Sequence, residues 1–206
     1  MTSNATIGSA AKERDGLSPK DFVFIAVFGI LFLVVMGVLV IFSANANLCW
    51  FTHTVGALFA GTVFMYLAYR VPKRGAIAIM GIIVGAVGLL MGMFWSGPVG
   101  IVVGGIVADL IAGDPQKRTK TKLVCAFAAF TFCFWLGQIS LILMMGEAYA
   151  EMCVQAGMTL EYGQTLVNSI LSPMGVVTGA ATIAGGLVGG FIGTKVFSKH
   201  FAKLGM

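Results

Sequence analysis

Every lysine and arginine in the chain falls in one of four short clusters, and the clusters alternate with long apolar runs. Lys12, Arg14 and Lys20 precede the first run, and Arg70, Lys73 and Arg74 follow the second. Lys117, Arg118, Lys120 and Lys122 follow the fourth, and Lys195, Lys199 and Lys203 stand at the end of the sixth. Together these are all 13 cationic side chains, and the connections after the first, third and fifth runs have none. An apolar helix of about 20 residues crosses a hydrocarbon core about 30 Å thick. Loops rich in Lys and Arg stay on the cytoplasmic side. The pattern therefore predicts an all-α integral membrane protein with six transmembrane helices and both termini cytoplasmic.

Composition agrees with that class. Only 10% of the residues are charged, against about 25% in soluble domains. Mean hydropathy is +0.96. Alternating apolar and polar strands of the outer-membrane barrel kind are absent. The net charge of +5 is a topology signal, so nucleic acid is not an expected partner.

The predicted spans are 22–42, 54–69, 76–94, 99–112, 123–146 and 167–197. Residues 1–16 are read as a mobile cytosolic tail without a cleavable signal, and 17–206 as a single six-helix membrane domain. Ser18 is a candidate cap for the first helix. Residues 147–165 read as an outer loop containing a short helix, with Glu147, Glu151 and Glu161 facing outward. The pair Ser172–Pro173 predicts a kink within the sixth span. Cys49 and Cys153 both lie in outward connections, where pairing depends on a proximity that spacing does not reveal.

Glycines recur at helical spacing: Gly81, Gly85, Gly88 and Gly92, then Gly100 and Gly104, then Gly185, Gly189 and Gly193. Such rows let helices approach closely in lipid, where moving apolar side chains out of the tails gains little. Asp109 is the one carboxylate deep in the apolar pattern, in "GGIVADLIAGD". It lies a few residues before a cationic loop, which predicts a structural place at the inner interface beside Lys or Arg.

Several chemistries are excluded by their missing motifs. No GxxxxGK[ST] phosphate loop occurs, and "GGFIGTK" has the wrong spacing. There is no HExxH, no nucleophile elbow and no row of ionisable groups through the membrane. The chain reads as a binding subunit or a channel-like protein, not an enzyme or a self-powered pump.

Five stretches carry a family resemblance: "LSPKDF", "VPKRG", "GIIVGAVGLLMGM", "GGIVADLIAG" and "GGLVGGFIGTKVFSKHFAKLG". In this order the chain resembles the S components of energy-coupling factor (ECF) transporters, in the Trep_Strep or MptD-like subgroup. The resemblance implies a bacterial cell-membrane protein that captures a micronutrient on the outer side. It also implies partners: a transmembrane T component and two cytosolic ATPases that supply the energy. Docking on the T component is implied to use small residues of the first helix. The counterparts here are Ala26, Gly29 and Ile30, and Ile30 departs from the small-residue pattern.

By the same resemblance, ligand sits near the outer helix ends, under the loop between spans one and two. The residues implied are Asn45, Asn47, Trp50, Phe51, His53, Met91, Met93, Trp95, Tyr149 and Tyr162. This aromatic and thioether set suits a flat, largely apolar ligand. Haem is the leading expectation, with His53 as axial ligand to the iron and Met91 or Met93 as a second. Haem's two propionates would find no outward Lys or Arg. A cationic vitamin drawn by the outward glutamates and by cation–π contact is an alternative. So is an interfacial role for His53 and Trp50, and so is a membrane scaffold that transports nothing.

Overall fold

The computed structural model describes residues 16–203, and all regular structure among them is helical. Residues 1–15, most of the expected tail, lie outside the described residues. Helix α1 (Pro19–Val38) is followed by a 3-10 turn (Leu39–Ala44), and a second turn (Cys49–Phe51) leads into α2 (Thr52–Arg70). Helices α3 (Ala76–Leu90) and α4 (Ser96–Ala112) form an antiparallel pair, followed by α5 (Lys120–Met145). Two short helices, α6 (Ala148–Gln155) and α7 (Leu160–Leu171), precede the terminal α8 (Pro173–Lys203).

Four stretches are long and apolar enough to cross a membrane: Pro19–Ala44, Cys49–Arg70, Lys120–Met145 and Pro173–Phe197. Helices α3 and α4 are apolar but shorter, at 15 and 17 residues. At 1.5 Å per residue they reach about 23 and about 26 Å, just under the thickness of the hydrocarbon core. The expected sixth span over 167–197 is divided into two helices. Ser172 is extended at φ −85° and ψ 172°, because the ring of Pro173 disfavours the helical conformation in the residue before it. Helix α7 therefore ends there and α8 starts afresh at Pro173. The expected outer loop 147–165 is mostly helical, containing α6 and the first turns of α7.

Helix starts and stops follow local chemistry. Ser18 caps α1 as expected: its N–H and Oγ each lie 2.7 Å from Asp21 Oδ2, and Asp21 N–H returns to Ser18 Oγ at 3.4 Å. At the other end of the "VPKRG" turn, Gly75 has φ +82°, a conformation that favours glycine. Asp109 reaches across from α4 to the start of α3, accepting from Gly75 N–H at 2.9 Å and Ile77 N–H at 3.3 Å. Arg118 stands 3.8 Å from the same carboxylate. This is the structural position that the sequence predicts for Asp109.

The tightest seams run between α2 and α8 and between α4 and α5. Gly61 and Gly189 place α2 directly against α8, with Gly189 on the carbonyl of Ala57 and no room for a Cβ at either glycine. In the other seam a Cβ on Gly100 would lie 2.6 Å from Gly137 Cα. Helix α1 leans on this frame through Ile25, Gly29, Phe32 and Met36. Its opposite face exposes Val23, Val27, Ile30 and Val34. Gly29 packs against Met80 and Val84 of α3, so of the expected docking residues Ile30 is exposed, Ala26 half-buried and Gly29 used inside the bundle.

The bundle has two unlike ends. The described cationic residues gather at one: Lys73 bridges to Asp21 at 2.8 Å and donates to Gly16 O at 3.1 Å. Arg74 faces Asp114 at 3.5 Å, and Arg118 donates to Lys73 O at 3.2 Å. Phe197 of α8 meets Tyr66 of α2 with tilted rings, centroids 4.9 Å apart, bringing the end of α8 to this side. The far end is capped by the α6–α7 hairpin and the turns Leu39–Phe51 and Met91–Trp95.

Candidate functional site

A cavity of about 240 Å³ opens at the end remote from the cations. Five separate segments build it. The turn before α2 supplies Cys49 and Trp50, and the α3–α4 turn supplies Gly92, Met93 and Phe94. The start of α4 gives Ser96 and Gly97, and α5 gives Gln138. The α6–α7 hairpin closes it with Tyr149, Met158, Tyr162 and Leu166. None of these lining side chains carries a permanent charge.

The walls are held by polar ties between distant parts of the chain. Trp50 Nε1–H donates to Ser169 Oγ at 2.9 Å, and Ser169 in turn donates to Leu166 O at 2.8 Å. Tyr162 O–H donates to Ser43 O at 2.5 Å, joining α7 to the turn after α1. Phe94 meets Tyr149 edge to face at 5.9 Å. Helix α7 starts from a Thr159 cap on Tyr162 N–H at 3.2 Å, and its Gly163 lets it lie on Ala150 of α6. Burial pushes the phenols of Tyr149 and Tyr162 up from their ordinary range, so both stay protonated at neutral pH, with the O–H of Tyr162 spent on Ser43.

Of the residues expected from sequence, Trp50, Met93, Tyr149 and Tyr162 come together on this cavity. The others do not. Asn45 and Asn47 are exposed and make their own turn, Asn47 N–H donating to Asn45 Oδ1 at 2.9 Å. Met91 and Trp95 are 74% and 54% exposed on the outside of the α3–α4 turn. Phe51 is half-buried away from the lining. Glu147, Glu151 and Glu161 are exposed, and none lines the cavity.

His53 is the largest departure. It sits in the first turn of α2, 4% exposed, edge-on to Phe134 of α5 at 4.8 Å between ring centroids. Its Nδ1 has no well-aligned partner among the described residues, and the backbone of Trp50 is the acceptor within reach. An axial ligand needs an imidazole nitrogen open to the ligand, whereas this ring belongs to the wall between α2 and α5.

Sequence reasoning missed Cys49, Gly92, Phe94, Ser96, Gly97, Gln138, Met158 and Leu166. Gln138 did carry a signal, since it is the lone amide in the apolar run 123–146. Polar groups at such depth are costly unless they have work to do. Cys49 and Cys153 are both free thiols in the same apolar cluster at the far end. Among the described residues no group of three His, Cys, Asp or Glu side chains is placed to hold a metal ion.

Long apolar helices are what an integral membrane protein needs, and the sequence places the chain among such proteins. The family described as "hypothetical bacterial integral membrane protein (Trep_Strep)" matches residues 19–203. The chain belongs to the Trep_Strep family. No curated protein and no solved structure matches it. The family match begins in the first turn of α1 and ends with α8, so the Trep_Strep region coincides with the whole helical bundle. The cavity of this Trep_Strep protein is thus built wholly from family-matched segments.

Proposed function

We propose that this protein is the substrate-capturing membrane subunit of an ATP-driven importer of the ECF type, taking up a small micronutrient at the outer face of the bacterial cell membrane. In this reading α1 to α5 and α8 are the six spans, α6 and α7 form an outer lid, and both termini are cytoplasmic. The chain itself hydrolyses nothing. A T component and two ATPases supply the work, and nucleic acid has no part. One observation carries the reading: the cavity lies at the end opposite every described cation. By the positive-inside rule that end is the outer one, where an importer meets its substrate. The resemblance of the five sequence stretches to S components supports the same assignment.

The cavity favours a compact ligand over haem. Its volume of about 240 Å³ falls below the ~300 Å³ lower end of ordinary ligand pockets. No cation lines it to meet two propionates, and His53 faces Phe134. The exposed glutamates likewise leave a cationic vitamin without a counter-charge in the lining.

The test is co-expression with a T component and two ATPases, followed by purification through the ATPases. The expected result is association that responds to ATP, together with a small molecule released on denaturation and identified by mass spectrometry. A protein that never associates with such a module, and carries no small molecule, is a scaffold and ends the proposal. A Soret shift on adding haem that disappears in His53→Ala would restore haem as the cargo.

A further inference from the structure

Ser96 opens α4, lines the cavity and is only 2% exposed, yet its Oγ is buried without a hydrogen-bond partner among the described residues. A buried hydroxyl left unpaired is costly, and in a native structure it calls for a missing partner. Gln138 of α5 lies beside it. The point a Cβ would occupy on Gly97 is 3.3 Å from Gln138 Cγ and 3.7 Å from its Nε2. Glycine at position 97 therefore lets the amide lie against the first turn of α4. The N-terminus of a 17-residue helix adds the positive end of its dipole, while Gly97 N–H and Val99 N–H are spent on Phe94 O and Trp95 O and Pro98 has no N–H to give. Two neutral side-chain donors and a helix dipole thus converge, with no fixed cation among them.

We propose that Ser96, Gln138 and the N-terminus of α4 form a subsite for one oxygen acceptor, a carboxylate or a ring carbonyl, of a compact aromatic or heteroaromatic ligand. The ring lies among Trp50, Phe94 and Tyr149, whose faces and edges supply apolar contact. Aromatic rings prefer such offset or edge-on neighbours. A helix terminus and two neutral donors match a single full or partial negative charge and leave a dianion undercompensated. The subsite rests on the capture reading of the same cavity, and it names the chemistry that the captured molecule carries.

The experiment titrates the purified protein in lipid nanodiscs with three probes sharing one ring: pyridine-3-carboxylate, pyridine-3-carboxamide and 3-methylpyridine, followed by ligand-observed NMR. The carboxylate and the carboxamide are expected to bind at least tenfold more tightly than the methyl compound. Ser96→Ala and Gln138→Leu are each expected to reduce that preference to threefold or less, with the thermal transition of the variant protein confirming that it is folded. Gly97→Ala, which pushes Gln138 aside, is expected to weaken the same preference. Equal binding of the three probes, or a preference that survives Ser96→Ala, overturns the subsite while leaving nucleotide-dependent capture intact. No saturable binding of any probe overturns the aromatic ligand class. Failure of the capture reading shows separately, as absence of association with the T component and ATPases.

Discussion

The two ends of the bundle treat polar groups in opposite ways. At the cationic end the fold occupies its charges: Asp21 has Lys73, Asp114 has Arg74, and Asp109 has two backbone N–H groups and Arg118. Arg118 Nη1 stands without a hydrogen-bond partner among the described residues there. At the far end Thr52 Oγ1, His53 Nδ1, Ser96 Oγ and Trp135 Nε1 are all buried without a well-formed partner. Both ends belong to one chain in one apolar setting, so solvent alone does not separate them. The difference is one of completeness: the cationic end pairs its charges across helices, whereas the far end has ties such as Trp50–Ser169 and also leaves several buried groups unpaired, one of which, Ser96, lines the cavity.

That contrast is open to test, beginning with the seam that joins the ends. Gly189→Leu should have the largest effect. The substituted side chain would meet the backbone of Ala57 and Leu58, and backbone does not swing away as a flexible side chain would. Overpacking usually costs about 1–3 kcal/mol and more where nothing yields. The expectation is loss of more than about 3 kcal/mol, read as collapse of the monodisperse peak in detergent. A well-folded Gly189→Leu protein would mean that the ends do not depend on a common frame.

Asp109→Ala is next. It strips the start of α3 of two acceptors' worth of hydrogen bonding and leaves Arg118, whose side chain is 5% exposed, without its carboxylate. Removing one partner from buried donors costs about 1–3 kcal/mol, and about 2 kcal/mol is expected here. The thermal transition should fall in Asp109→Ala and recover in part in Asp109→Asn. An unchanged transition would show that the charges at this end are ornamental to the fold.

How far each end was legible follows from the same physics. The cationic end was readable because a lysine or arginine has no place in hydrocarbon, so its position in the sequence marks a boundary directly. Asp109 was readable for the related reason that a carboxylate near that boundary finds nearby donors. The glycine seams were visible as periodic rows, although which rows met was not: Gly61 carries no periodic signal of its own and meets Gly189 from across the chain. The cavity was half legible. Trp50, Met93, Tyr149 and Tyr162 belong to the set that the family resemblance implies near the outer helix ends, and they meet on the cavity. Asn45, Met91 and Trp95 belong to the same implied set and turn outward, since the direction a turn residue faces depends on partners far away. The bond of Trp50 to Ser169 spans 119 positions, and no local pattern encodes it. His53 misled for a simple reason: a lone histidine beside an aromatic cluster looks the same in sequence whether it lines a pocket or wedges two helices apart.

Trp50→Phe sharpens the comparison at smaller amplitude. The Nε1–H bond to Ser169 at 2.9 Å is lost, and the smaller phenyl ring leaves part of the buried indole's space empty. One such neutral bond and a small void together cost about 1–2 kcal/mol. A fall of that size in the thermal transition marks Trp50 as a wall residue that fastens the lid. A much larger fall would move Trp50 into the framework and blur the division between the ends.

Ser96→Ala is expected to have the smallest effect on stability and decides most about the division. A polar group whose partner lies within the protein costs stability when removed, as at Asp109. A buried hydroxyl with no partner already bears its desolvation penalty in the ligand-free protein, so deleting it relieves that penalty and loses no bond. The seryl Oγ is small, and the vacancy left by its removal borders an existing cavity, so little new void is created. The transition should therefore stay within about 0.5 kcal/mol of the parent or rise above it. A clear fall would mean that Ser96 is bonded within the protein or through a tightly held water, and the far end would then be fastened like the cationic one. Read beside Asp109→Ala under the same conditions, the sign of this one change separates polar groups that build the bundle from those left unpaired beside the cavity.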